Sequence, residues 1–298
     1  MATREHEVRL ADGRVVRVLD AGTTGGLTVV FFHGTPTSRL VPDPWLDAIA
    51  GAGLRLLSCD RPGYGGSTPQ PGRTIADTAT DVAAVADQLG VGRFAVWGVG
   101  GGSPQTLACA ALLPARVVAA AVVEPVAPVD ARGLGWLAGM AAGNVGEFTM
   151  AMAGRDALQA ALLPAAERLM AADPAQAGEV FGAGLAAPDR AVLGSPQVAA
   201  FLLGCMREGL APGVEGWVDD DLALVVPWGV ELSGIRVPVA LWHGEQGRLV
   251  PATHARWLAG AIPGAALRLF PDEGTLSLIF GRAGEVIGWL AEQLRRTR

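Results

Sequence analysis

Lysine is missing altogether. All 23 cationic side chains are Arg, set against 29 Asp and Glu, for a formal net charge of -6 over 298 residues. Without a lysine amine no Schiff base can form, which excludes lysine aldolases and pyridoxal-phosphate chemistry. A P-loop is excluded for the same reason. Cysteine is scarce: Cys59, Cys109 and Cys205 form no CxxC pair. Neither a disulfide framework nor a thiolate metal centre is suggested, and reducing cytoplasm is the expected compartment. Acid-base side chains are few, with one Tyr (Tyr64) and four His (His6, His33, His243, His254). Charged residues make up 17%, and the acidic excess argues against nucleic acid and anionic lipid as partners. No long uninterrupted apolar run occurs. The stretch Leu107–Val129 is broken by Pro114, Arg116, Glu124 and Pro125, so no membrane span is expected. The polar, charged start MATREHEVRLADGR does not read as a signal peptide.

What is present is apolar and orderly. Half of the residues are hydrophobic, too many for a disordered chain, and a chain of this length buries a full core. Glu7–Leu10 and Val15–Asp20 flank Ala11-Asp12-Gly13, a hairpin signal. Continuous apolar runs follow at Leu27–Phe32, Leu54–Cys59, Phe94–Trp97, Val117–Val123 and Val239–Trp242. Runs apolar on both faces fit buried parallel strands. Helical patterns separate them at Trp45–Ala52, Ile75–Leu89, Pro104–Leu113, Pro251–Ile262 and Gly281–Arg295. The alternation predicts an α/β fold, a doubly wound and mostly parallel sheet, with ligands bound beyond the carboxyl ends of its strands. It stops between about Asp130 and Gly234, where Gly/Ala-rich helical patterning is broken by Pro164, Pro174, Pro188, Pro196 and Pro212. The expected organisation is a core of 1–129 and 235–298, with 130–234 as a helical cap over the strand ends.

Four landmarks stand at the strand ends in order. They are His33-Gly34-Thr35-Pro36, Asp60-Arg61-Pro62-Gly63-Tyr64-Gly65, Gly98-Val99-Gly100-Gly101-Gly102 and Gly244-Glu245-Gln246-Gly247-Arg248-Leu249-Val250-Pro251. With them the sequence resembles the α/β-hydrolase superfamily over nearly its whole length, and looks most similar to the capped branch of epoxide hydrolases, haloperoxidase-like proteins and small esterases. The resemblance implies a nucleophile at the centre of a G-x-S-x-G elbow, then an acid, then a His. Here those three positions fall on Gly100, Gly247 and Thr275, the last in Glu273-Gly274-Thr275-Leu276. No member of the triad is present, and Gly100 can form no acyl or alkyl ester. The resemblance also implies an oxyanion hole built from the N–H groups of Gly101 and Thr35, which needs no particular side chain.

Glu124 ends the run Val117–Val123, where part of the superfamily places its acid. It reads as a general base, or otherwise as a solvated or Arg-paired carboxylate. His33 belongs to the oxyanion-loop motif and is a second proton-transfer candidate, or a residue that shapes the loop. Ser103, just before Pro104, reads as a helix N-cap, with displaced nucleophile as the other meaning. His243 reads as packed core and His254 as exposed. Pro36, Val99, Ser103, Trp136, Trp217, Trp228 and Leu276 are candidate pocket residues. The run Asp219-Asp220-Asp221 reads as an acidic helix start, and no metal is expected. The expected ligand is a small hydrophobic substrate, with no cofactor. Three functions fit: a non-hydrolytic cyclase, isomerase or lyase acting on a polyketide-like carbonyl compound, an inactive ligand-binding or partner protein, and a hydrolase in which Glu124 activates water.

Overall fold

The computed structural model describes residues 3–181 and 184–297. Its centre is an eight-stranded sheet: β1 (Thr3–Arg9), β2 (Val15–Gly22), β3 (Leu27–Phe32), β4 (Leu54–Cys59), β5 (Phe94–Val99), β6 (Val117–Val123), β7 (Val239–Gly244) and β8 (Ala266–Phe270). The spatial order is β1-β2-β4-β3-β5-β6-β7-β8. The β1–β2 hairpin adds antiparallel to β4, and the remaining pairs run parallel. The apolar runs are thus the inner strands. β8 escapes them because it lies at the edge and is only partly buried, with Arg268 between Leu267 and Leu269.

Side chains alternate between the faces, as strand geometry requires. Val30, Phe32, Leu57, Val96, Val122 and Leu241 meet α2 (Thr78–Gln88), α3 (Ser103–Leu112) and α10 (Ala252–Ala261). Phe31, Leu56, Trp97, Ala121, Val123 and Trp242 meet α1 (Asp43–Gly51) and α12 (Ala283–Arg296). In α12, Val286, Ile287, Leu290, Ala291 and Leu294 are buried, the one-sided stripe of a helix lying on a sheet. β6 is Val-Val-Ala-Ala-Ala-Val-Val and wholly buried; its small side chains let helices close on it from both sides.

Between β6 and β7 the described residues form helices alone: α4 (Ala142–Ala153), α5 (Arg155–Ala171), α6 (Ala177–Val180), α7 (Ala187–Leu193), α8 (Pro196–Leu210) and α9 (Glu215–Leu224), with short 3₁₀ turns at Pro174–Gln176 and Leu232–Gly234. Leu158, Leu162, Leu203, Leu210 and Val218 pack into a separate apolar cluster that reaches Tyr64 and Leu276 of the sheet-end loops. A buried carboxylate joins this layer to the rest. Asp189 of α7 accepts the N–H groups of Thr275, Leu276 and Ser277 at 3.1, 2.8 and 3.0 Å. Those amides open α11 (Thr275–Gly281) and would otherwise lack partners. Thr275 therefore begins a helix, where a loop was expected. Asp219-Asp220-Asp221 is likewise inside α9 and not at its start. No described helix is long and apolar enough to cross a membrane.

Candidate active site

A cavity of about 360 Å³ lies where the carboxyl ends of the strands meet the helical layer. Three stretches of the core define its floor. The first is the turn from β5 into α3. Gly98 and Gly102 are fixed by contact: a Cβ on Gly98 would strike the Thr106 hydroxyl, and one on Gly102 the carbonyls of Phe32 and His33. Gly100 differs. It has φ +50° and lines the cavity, and a Cβ there would meet nothing within 4 Å. The turn accordingly has the left-handed strand-to-helix bend of an elbow, with open space at its apex.

The second stretch is the loop after β3. His33 is buried, and both ring nitrogens are engaged: Nε2 accepts the Arg61 N–H at 3.2 Å and Nδ1 lies 2.8 Å from Gly34 O. Burial, reinforced by Arg61, holds its pKa well below the ordinary His value. His33 is thus a neutral ring that fastens two loops together. Thr35 precedes a cis peptide to Pro36. Its hydroxyl donates to Asp220 Oδ2 at 2.9 Å and accepts from Arg61 Nη2 at 3.0 Å. Its backbone N–H has no acceptor among the described residues. Gly101 sits directly against it, so close that a Cβ on Gly101 would hit the Thr35 side chain. Both residues line the cavity.

The third stretch surrounds Glu124, which is fully buried and lines the same cavity. Its φ of +53° is left-handed, a conformation that costs a non-glycine residue about 1–2 kcal/mol. That twist ends β6 and turns the carboxyl toward β7 and α11. Oε1 accepts the Gly244 N–H at 2.7 Å, and Oε2 accepts the Thr275 hydroxyl at 3.0 Å. A Cβ on Gly247 would stand 2.9 Å from Glu124 Oε2 and 3.1 Å from the Thr275 hydroxyl. Positions 124, 247 and 275 therefore converge. His243 Nε2 lies 3.7 Å from Glu124 Oε2, too far for a hydrogen bond. Burial pushes its imidazole down to about 4, so it brings no compensating charge. With no Arg in contact, burial raises the Glu124 pKa well above the usual carboxylate range, opposed only by the two donors.

Of the expected wall residues, Pro36, Val99, Trp217 and Leu276 line the cavity. Three others lie outside its wall. Ser103 is the first residue of α3 instead of its N-cap, and its Oγ accepts the Val126 N–H at 2.9 Å. Trp136 packs on Phe148 at 4.8 Å and donates to Ala127 O at 2.7 Å. Trp228 joins the core on the α2–α3 face. His254, expected to be exposed, is buried, accepting the Ala127 N–H at 3.1 Å with its other nitrogen 2.9 Å from Trp136 O.

The aspartate run divides its work. Asp219 pairs with Arg155. Asp220 is met by Arg61 at 2.5 Å, Arg73 at 2.8 Å, the Tyr64 hydroxyl at 2.8 Å and Thr35. The two guanidiniums outweigh its burial and hold it far below the usual carboxylate range. Asp221 faces the cavity, beside Glu147. Among the described residues no group of three or more His, Cys, Asp or Glu is placed to hold a metal ion.

Sheet order, elbow and loops define a class of protein, and comparison with known proteins agrees. The chain belongs to the alpha/beta hydrolase fold family, which matches residues 28–282. It is 34% identical over 124 residues to a non-heme chloroperoxidase of Streptomyces lividans, a match covering 41% of this chain and 45% of that protein. The chain spans less than half the length of the curated relatives it matches. Among solved structures it is similar to an esterase from Exiguobacterium antarcticum, with TM-score 0.71 and 19% identity over 98% of this chain and 100% of that one. It is also similar to an enol-lactonase from Burkholderia xenovorans LB400, with TM-score 0.68 and 20% identity over 95% and 98%. At such identities the structural likeness speaks for the fold alone.

Proposed function

We propose that this is a cofactor-independent enzyme of the alpha/beta hydrolase fold that works without a covalent nucleophile. It binds a hydrophobic carbonyl compound, polyketide-like in character, and catalyses its cyclisation, isomerisation or elimination. One observation carries the reading: the apex of the elbow is Gly100, which offers space but no attacking atom, while a buried carboxyl and a free amide share its cavity. In this reading Gly100, Gly247 and Thr275 occupy the three positions of a lost triad. The substrate carbonyl oxygen receives the Thr35 and Gly101 N–H groups, which stabilise an enolate as negative charge develops. Glu124 takes the proton from the adjacent carbon and returns it elsewhere on the substrate. Its raised pKa suits this exchange, because a carboxylate of ordinary acidity is a weak base. Residues 130–234 act as the cap, and the apolar lining from Phe181, Leu185, Phe201 and Met206 favours ring-rich ligands. Three buried, unpaired thiols suit a reducing compartment.

The test needs no knowledge of the natural substrate. Incubated in deuterium oxide with a hydrophobic ketone such as phenylacetone, the protein should exchange the protons next to the carbonyl faster than background. Glu124→Gln should lower that rate by about 10²–10⁴-fold. A fluorophosphonate probe should leave no covalent adduct. Adduct formation, or exchange unaffected by Glu124→Gln, would overturn the proposal.

A second reading is hydrolysis by water. It is favoured by the open space at Gly100, which gives room for a water molecule in the cavity that Glu124 also lines. Turnover of a p-nitrophenyl ester that disappears in Glu124→Gln, again without adduct, would select it.

A further inference from the structure

One part of the cavity wall has no role in that chemistry. On α4, Asn144, Glu147 and Phe148 fall at i, i+3 and i+4 and all line the cavity. On α9, Trp217 and Asp221 fall at i and i+4 and line it too. The two helices are tied there by Trp217 Nε1, which donates to Glu147 Oε1 at 2.8 Å. Asn144 donates one of its two Nδ2 hydrogens to Leu249 O at 3.0 Å, which leaves its carbonyl oxygen and one N–H available. Asp221 is 1% exposed, and its Oδ2 has no hydrogen-bond partner. The wall therefore presents three acceptor groups, from Asn144, Glu147 and Asp221, against one remaining Asn144 N–H, and its indole donor is already engaged.

Two carboxyls and an amide oxygen, in an apolar setting and flanked by two aromatic rings, match a particular chemistry. An ammonium carries several N–H donors and no acceptor. Its charge suits carboxylates and is attracted to the faces of Trp and Phe. We infer that Asn144, Glu147 and Asp221, with Trp217 and Phe148, form a subsite for a protonated amine, so that the ligand is a hydrophobic compound bearing a basic nitrogen. The inference rests on the reading of this cavity as the ligand site, and refines the class of ligand. The surrounding charges agree with it. Asp220, the next residue, is committed to Arg61 and Arg73, and Asp219 to Arg155. The exposed Arg168 is the guanidinium among the cavity-lining residues, against the carboxyls of Glu124, Glu147 and Asp221. Burial and the neighbouring Glu147 push Asp221 well above the usual carboxylate range, and Asp220 adds to this while Arg73 opposes it.

Calorimetric titration of the whole chain with phenylbutylamine and with phenylbutanol tests the subsite without any turnover. The amine should bind at least about tenfold more tightly than the alcohol. Asp221→Asn should abolish the preference and leave alcohol binding in place; Glu147→Gln, on the less buried partner, should reduce it. Alcohol and amine binding alike, or a preference that survives both variants, would overturn the subsite while the cavity reading stands. Binding of neither would overturn both.

Discussion

Asp220 and Glu124 lie equally deep, and both line up with loops at the carboxyl ends of the strands. Around Asp220, two guanidiniums and two hydroxyls converge, and the carboxylate stays ionised. Around Glu124 there is one amide, one hydroxyl and a neutral imidazole beyond hydrogen-bond reach, and burial raises its pKa well above the usual carboxylate range. The difference teaches that burial does not by itself make a carboxyl reactive. What matters is whether the fold supplies charge to match. The first region is a fastening between α9 and the β3 and β4 loops; the second is a carboxyl with no opposite charge beside it. Asp220 and Asp221 repeat the lesson one residue apart, on two sides of one helix.

The contrast can be broken most forcefully at Asp220. Asp220→Asn leaves Arg61 and Arg73 buried without their counter-charge, and should lower stability by about 3–5 kcal/mol in urea unfolding. A loss under about 1 kcal/mol would mean that the cluster is solvated and that the two regions do not differ as described. The elbow offers the next largest effect. Gly102→Ala drives a methyl into the carbonyls of Phe32 and His33 and should cost about 1–3 kcal/mol or more. Gly100→Ala meets only open space and should cost about 1 kcal/mol for its left-handed backbone. Equal losses would show that the apex is not open.

At Glu124 the sign of the pH dependence sharpens the comparison. The folded protein binds the Glu124 proton more tightly than the unfolded chain does. That contribution to stability is therefore lost as pH rises above the ordinary Glu range toward the folded value. Glu124→Gln has no proton to lose, so its melting temperature should gain on the parent as pH is raised. For Asp220 the sign is opposite: its contribution is full above the ordinary Asp range and is lost as pH falls toward its depressed folded value. The smallest effect belongs to Thr275→Val, which removes one donor from Glu124 and should cost about 1 kcal/mol. It should also move the pH profile of ketone proton exchange upward, since a donor to the carboxylate is gone.

Most of the framework could be read from the residues because local signals agreed with the global arrangement. The inner strands announce themselves as apolar runs, and Gly98 and Gly102 are glycine because nothing larger fits. Glu124 could be nominated from its place at the end of β6. Other features depend on partners distant in sequence. The aspartate run looks like a helix start until Arg61, Arg73 and Arg155 are seen to reach it. His254 sits on a helix with a mixed pattern and is buried because Ala127 and Trp136 present backbone atoms to its ring. Trp136 and Trp228 are as apolar as Trp217, and only the packing decides which of them faces the cavity. The subsite on α4 and α9 had a faint signature in the i, i+3, i+4 spacing of Asn144, Glu147 and Phe148. Nothing in the sequence placed that helix opposite Trp217 and Asp221.

The three amides that Asp189 accepts have a mechanical consequence. Lifting α7 would strand an anion and three N–H groups together, a far larger penalty than sliding one greasy surface over another. α7 therefore travels with the strand-end loops as a fixed abutment. Breathing that admits a ligand would cost less between α5 and α8, which meet mostly through leucine and alanine. A molecule seeking the interior would find its doorway among those slippery helices and not beside the latch.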